Sequence, residues 1–216
     1  MKVGIFGGCF NPIHFGHVSL IQEIASDFSF DKILIIPNMN PYYKKHTPVS
    51  FQSVSNMIEL AIPEGIPYEI SSLESSPNME HTTYETLTSL AKNQVGNEMY
   101  LIIGSDQFLE LSNWNNSKEI NKIAHVIVAV RGSYMVDIDD SNLLKNAYKE
   151  VKSDSFARCF VTDKNRELFF YNLKEKFDIS STAIQEMLSH GKIEEVKKFI
   201  HPMVLSFILE KGLYVK

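Results

Sequence analysis

Gly4-Ile5-Phe6-Gly7-Gly8-Cys9-Phe10-Asn11-Pro12-Ile13-His14-Phe15-Gly16-His17 is the stretch on which the reading of this chain turns. It begins inside an apolar run that opens at Lys2 and reads as a strand. It ends where Val18, Ile21, Ile24, Ala25 and Phe28 start to recur at helical spacing. Glycines at 7 and 8 remove Cβ atoms where backbone N–H groups would meet phosphate oxygens, and the helix start adds its positive dipole end. His14 and His17 stand three apart, so on a first helical turn both imidazoles face one side, and Gly16 between them leaves room for a ligand. Two such donors stabilise the charge that grows on a pentavalent phosphorus. Taken alone, a His-x-x-His pair is more often incidental to a glycine turn; strand, double glycine and helix in register argue for chemistry. Two histidines also suggest zinc, but no nearby cysteine or carboxylate completes a ligand set, so no metal-ligating residue is assigned.

Working outward, strand-like runs occupy residues 2–6, 32–37, 68–71, 99–103, 126–130 and 167–171, several of them apolar on consecutive positions. Amphipathic segments lie between them, marked by Met57, Ile58 and Ala61, then by Leu87, Leu90 and Ala91. This alternation predicts an α/β fold, a Rossmann-like parallel sheet with helices on both faces joined by right-handed crossovers. After the last run the character changes. Residues 181–216 form a small helical C-terminal part, Gly191 stopping one helix and Pro202 opening another. The whole of 1–216 is expected to be one domain. Residues 38–50 hold prolines, tyrosines and lysines without periodicity, and read as a loop at the ligand-binding edge of the sheet.

Bulk composition bounds the partners. With 216 residues, 44% hydrophobic and 22% charged, there is enough chain for one sizeable core. A net charge of −5 and a pI near 5.8 give no basic field, so nucleic acid is not an expected partner. Cys9 and Cys159 form no C-x-x-C pair, which fits a reducing cytoplasm. No apolar run approaches membrane-spanning length and the start does not read as a signal peptide, so the chain is expected to be soluble and cytoplasmic. A homo-oligomer is left open.

A second constellation lies near the far end. Ser180, Ser181 and Thr182 give a hydroxyl-rich helix start, and Thr182-x-x-Gln185 has the form of a capping box. Together, the two stretches resemble the signatures of the nucleotidyltransferase superfamily with a His-x-Gly-His motif, which includes the bacterial nicotinate-nucleotide adenylyltransferases. Phe177-Asp178-Ile179-Ser180-Ser181-Thr182-Ala183-Ile184-Gln185 is similar to that family's Ile-Ser-Ser-Thr-x-Ile-Arg motif. The similarity extends along essentially the whole chain. Pro41-Tyr42-Tyr43-Lys44 resembles its Pro-Pro-His-Lys loop, and Thr82-Thr83-Tyr84-Glu85-Thr86 its Tyr-Thr-x-Asp-Thr helix start, here also an ordinary capping box. Ile102-Ile103-Gly104-Ser105-Asp106 is similar to Ile-Ile-Gly-Ala-Asp, Trp114 stands where an aromatic stacks on the pyridine ring, and Arg131-Gly132 matches an Arg-x-Gly-like position.

The resemblance implies transfer of an adenylyl group from ATP, with its Mg²⁺, to nicotinate mononucleotide. His14, His17 and Lys44 would be catalytic. Gly7, Gly8, Cys9, Phe10, Gly16, His17, Gly104, Asp106, Arg131, Ile179, Ser180, Ser181 and Thr182 would bind ATP, and Asn11, Lys44, Thr82, Thr83 and Trp114 the pyridine mononucleotide. Nicotinamide mononucleotide, pantetheine phosphate or a cytidylyl substrate are the alternatives, as is a nucleotide-binding paralogue without turnover. Four positions depart from the pattern: Gln185 and Val54 stand for arginines, Tyr43 for a histidine and Thr82 for a tyrosine. Loss of the arginine at 185 alone would slow transfer by roughly ten- to a hundredfold unless Lys45, Arg131 or Arg158 substitutes, so Gln185→Arg is expected to raise activity.

Overall fold

The computed structural model describes residues 1–40, 49–76, 81–93, 95–130, 149–153, 157–161, 166–175 and 177–214. All six predicted runs are strands: β1 (Lys2–Gly8), β2 (Lys32–Pro37), β3 (Tyr68–Ile70), β4 (Glu98–Gly104), β5 (His125–Val130) and β8 (Glu167–Asn172). Two further strands, β6 (Lys149–Ser153) and β7 (Ala157–Val161), are additions to the sequence reading. Among the described residues the sheet runs β3-β2-β1-β4-β5-β8-β7-β6. The first six positions pair in parallel, whereas β7 pairs antiparallel with both β8 and β6.

Alternating side chains sort the core into two layers. Phe6, Ile33, Ile35, Ile102, Ile127 and Ala129 face the helices α1 (Phe15–Phe28), α2 (Phe51–Ala61), α6 (Ser181–Ser189), α7 (Ile193–Val196) and α8 (Pro202–Glu210). Val3, Ile5, Leu34, Leu101, Ile103 and Val128 face α3 (Thr83–Asn93), α4 (Ser105–Glu110) and α5 (Ser117–Ile123). Burial on both faces is why these strands read as unbroken apolar runs. The C-terminal helices share the core of α1 and α2, and Gly191 ends α6 in the left-handed region at φ 69°.

The strand order sets where a ligand can sit. From β1 the chain moves outward through β2 to β3, then α3 carries it back to β4 on the other side of β1. The order therefore reverses between β1 and β4, and their carboxyl ends, Gly8 and Gly104, flank the crevice that such reversals open.

Candidate active site

The loop leaving β1 reaches α1 with His14 as N-cap, in extended backbone at φ −142° and ψ 169°. His14 is buried, 2% exposed, while His17 in the first turn is half-buried. Their rings stack with centroids 3.7 Å apart at 25°, so both imidazoles do lie on one side. The His14 backbone N–H donates to His17 Nδ1 at 3.3 Å, and the His17 N–H donates to the His14 carbonyl at 2.8 Å. An Nδ1 that accepts carries no proton, so neutral His17 keeps its proton on Nε2, which makes Nε2 a donor. The Phe10 ring meets His17 edge-on at 5.1 Å and 67°, and Phe6 meets Phe10 at 5.3 Å. Phe10 is fully buried. Its side chain props His17.

The glycines divide by what surrounds them. A Cβ on Gly7 would meet nothing within 4 Å, the open space a close-approaching phosphate needs. A Cβ on Gly8 would lie 3.1 Å from the Phe10 ring, and one on Gly16 would lie 3.1 and 3.2 Å from His14 ring atoms and 3.4 Å from Phe177 Cβ. Gly16 thus makes room for the neighbouring imidazole. Cys9, between Gly8 and Phe10, is half-buried.

The amino-terminal loop and the distant hydroxyl triplet come together. Ser181 Oγ donates to the Pro12 carbonyl at 2.9 Å, and Gln185 Nε2 donates to the Asn11 carbonyl at 2.5 Å. The Phe15 N–H donates to the Phe199 carbonyl at 2.7 Å, and the Phe15 and Phe177 rings lie 5.9 Å apart. Ser180 is the N-cap of α6, its Oγ accepting from the Ala183 N–H at 3.2 Å. The capping box expected from Thr182 and Gln185 is therefore replaced by Ser180 alone, with Gln185 turned to Asn11. Of the three hydroxyl residues, Ser181 is buried on Pro12, whereas Ser180 and Thr182 are exposed beside the first amides of α6, where an anion would be met by N–H groups. Ile179 packs on the core of α1 and α2.

Asn11 is 5% exposed, and its side-chain oxygen accepts from the Tyr214 hydroxyl, so that oxygen faces the floor of the loop. Val54 lies fully buried in the first core layer, so an arginine there would bury a charge; the position is a packing site and no lost phosphate contact.

The opposite layer supplies the other edge of the crevice. Gly104 ends β4 and caps α4, its N–H donating to Gln107 Oε1 at 3.4 Å, and Asp106 is exposed in the first turn. Thr82 and Glu85 form the predicted capping box: the Thr82 N–H and hydroxyl donate to Glu85 Oε2 at 3.0 and 2.9 Å, and the Glu85 N–H donates to Thr82 Oγ1 at 3.3 Å. The Thr82 hydroxyl is thereby engaged, and Thr83 opens α3. Trp114 is half-buried against the second core layer, after the 3₁₀ turn Leu111–Asn113. Lys44, Tyr43, Lys45 and Arg131 lie outside the described residues.

Sequence reading passed over Glu74. This 7% exposed carboxylate accepts from the Thr86 hydroxyl of α3 at 2.7 Å, and its backbone carbonyl accepts from the Met39 N–H at 3.2 Å. Asn38, next to Met39, donates its N–H to the Gly8 carbonyl at 2.8 Å. Glu74 so links the end of β1 to α3. Burial pushes its carboxyl above the usual range, opposed by the Thr86 hydroxyl and by His81. A lone glutamate among serines carries no periodic signal that would mark it. Glu23 was passed over too: its carboxylate accepts the N–H groups of Lys174 and Glu175 at 2.8 and 3.0 Å, fastening the segment that leads to α6.

Comparison with known proteins fits this geometry. The sequence model of the family described as cytidylyltransferase-like matches residues 5–187. The probable nicotinate-nucleotide adenylyltransferase of Trichlorobacter lovleyi is 31% identical over 99% of this chain and 99% of its own. That of Shewanella pealeana is 31% identical over 88% of this chain and 86% of its own. Among solved structures, the Plasmodium falciparum nicotinic acid mononucleotide adenylyltransferase complexed with NaAD superimposes with a TM-score of 0.78 at 22% identity, over 99% of this chain and 97% of that one, a likeness of fold. A glycine-histidine loop and a capped serine helix joined at one crevice, a family match over most of the chain and end-to-end kinship lead to one assignment: the chain belongs to the cytidylyltransferase-like family, among its nicotinate-nucleotide adenylyltransferases.

Proposed function

We propose that the protein joins ATP and nicotinate mononucleotide, giving deamido-NAD and pyrophosphate, as a step of NAD biosynthesis in the cytoplasm. The observation that carries this reading is the direct bond from Ser181 to Pro12, which sets the α6 amino end beside the loop that bears His14 and His17. One triphosphate can then lie across both. End-to-end kinship with proteins named for this reaction supports the same substrate pair.

In the reaction an ionised phosphate oxygen of the mononucleotide attacks the α-phosphorus of ATP in line. The new P–O bond forms as the bond to the β-phosphate oxygen breaks, and pyrophosphate leaves with that electron pair. No proton need be removed from the nucleophile, so catalysis reduces to placement and to stabilising charge on phosphate oxygens. His17 donates through Nε2–H, with His14 stacked behind it and Lys44 as a further cation. Open space at Gly7 admits phosphate to the backbone, the first turn of α6 supplies amides, and Asp106 stands at the end of β4 for a ribose hydroxyl. Thr83 and Trp114 receive the pyridine part from the opposite layer.

Mg²⁺ would travel with the nucleotide, neutralising its phosphates. Among the described residues no group of three or more His, Cys, Asp and Glu is placed to hold a metal. Among those residues, too, no helix is long and apolar enough to cross a membrane.

Chromatographic conversion of ATP with nicotinate mononucleotide tests the proposal, with nicotinamide mononucleotide run beside it. A dinucleotide and pyrophosphate in equal amounts from the nicotinate substrate is the expected result. Tight ATP binding without product would replace the enzyme by a nucleotide-binding paralogue.

A further inference from the structure

The chain's far end is tied to the loop that bears the histidines by contacts the proposed reaction leaves unused. Helix α8 ends in a Schellman motif: the Gly212 N–H donates to the Leu209 carbonyl at 3.2 Å and the Leu213 N–H to the Ile208 carbonyl at 3.0 Å. Gly212 has φ 59°, and Tyr214 follows with φ 63°, a left-handed conformation that bulky residues rarely adopt. The result of this turn is that Tyr214, 7% exposed, lays its ring in the first core layer and donates its hydroxyl to Asn11 Oδ1. On the same residue, Gln185 Nε2 reaches the backbone carbonyl. Asn11 is thus gripped at side chain and main chain by residues 203 and 174 positions away. It lies three residues before His14, whose N–H sets the tautomer of His17.

We propose that Tyr214 and Gln185 are positioning residues that hold Asn11, and through it the backbone of residues 11–14, so that His14 keeps its N–H on His17 Nδ1. The proposal rests on the adenylyl-transfer reading for its kinetic consequence, and on the structure alone for its effect on His17. Strain at Tyr214 persists because the bond to Asn11 and the core packing over-determine it. In this chain residue 185, an arginine in the family pattern, serves the loop instead of the phosphates.

The test uses Tyr214→Phe, which keeps the ring and removes the hydroxyl, together with Gln185→Ala and the double variant. Steady-state rates are read for both substrates, and the His17 tautomer is read from the imidazole ¹⁵N shifts of the free protein. Tyr214→Phe and Gln185→Ala should each lower kcat about tenfold with KM for ATP and for the mononucleotide within about twofold. The His17 signals should lose the Nε2–H pattern, and the double variant should lose less than the product of the single losses. An unchanged tautomer and kcat, or a higher KM for mononucleotide at unchanged kcat, would overturn the latch. Should the wild type give no dinucleotide, the functional reading falls while the tautomer still decides the latch.

Discussion

Ser181 Oγ lies 2.9 Å from the Pro12 carbonyl, a bond that spans 169 positions and joins the two ends of one crevice. Buried and unshared with solvent, it holds the first turn of α6 against the loop that delivers His14. Ser181→Ala leaves the Pro12 carbonyl without this donor, so a loss of about 1–3 kcal/mol in stability is expected, with a several-fold drop in kcat/KM. Urea unfolding and steady-state kinetics on one preparation check it. Wild-type stability with wild-type kinetics would show that the bond holds nothing in place.

Gly7 and Gly16 make opposite predictions from a single added methyl. In Gly16→Ala the new carbon meets the His14 ring and Phe177 Cβ, so the imidazole stack must shift, and kcat should fall by about tenfold or more. Gly7→Ala meets nothing, so melting temperature should stay put while KM for ATP rises as the methyl stands in the path of phosphate. Equal effects of the two on KM and kcat would count against the division of labour between these glycines.

Acid stability should be governed from the end of the sheet opposite the crevice. His125 is 4% exposed, stacks on Tyr100 at 4.5 Å, and accepts the Glu167 N–H on Nδ1 at 3.0 Å. Burial holds its pKa below the ordinary 6.5, with Arg166 and Lys2 acting in the same direction and Glu98 against them. The unfolded chain therefore binds more protons here than the folded one. The stabilisation is present above pH about 6.5 and is lost as pH falls through the folded value. Glu167 has the opposite sign: burial and Glu98 raise its pKa, so its contribution is lost as pH rises past the ordinary carboxylate range. Melting temperature should drop between pH 7.5 and 5.5, and His125→Gln should shrink that drop. A variant with the wild-type slope would exonerate His125.

Glu74→Gln tests the buried carboxylate that accepts from Thr86 of α3. Since burial raises its pKa, the ionised form destabilises the fold as pH rises past the carboxylate range, and the amide escapes this while keeping an acceptor for Thr86. Thermal melts from pH 5 to 8 should show the variant losing less stability than the wild type. A steeper loss in the variant would mean that the charge itself is needed there.

How far the sequence could be read follows from what each signal depends on. The parallel strands were legible because burial on both faces leaves unbroken apolar runs such as those of β2 and β5. Strand β6, at the sheet edge with Lys149, Glu150 and Lys152, has a polar sequence without such a run, and in β7 Arg158 interrupts the apolar run. Local motifs were reliable where the partner was local. Thr82 and Glu85 close their box, but Ser180 rather than Thr182 caps α6, and Gln185, a turn further in, donates its amide to the Asn11 carbonyl far away in sequence. Gln185→Arg, expected to raise activity by restoring a cation near the phosphates, also exchanges the amide that donates to Asn11, and the kcat of that variant reads which effect prevails. Val54 and Glu74 show the other limit, since burial of a residue in a helix or loop is decided by neighbours that spacing does not reveal.

Under the proposed function, catalysis turns on His17 as a donor to the phosphates of bound ATP. Its most direct test is the rate of dinucleotide formation from ATP and nicotinate mononucleotide by His17→Ala, beside its melting temperature. The expected result is a loss of about a hundred- to a thousandfold or more in kcat with little change in melting temperature. Turnover close to that of the wild type in a well-folded variant would contradict it.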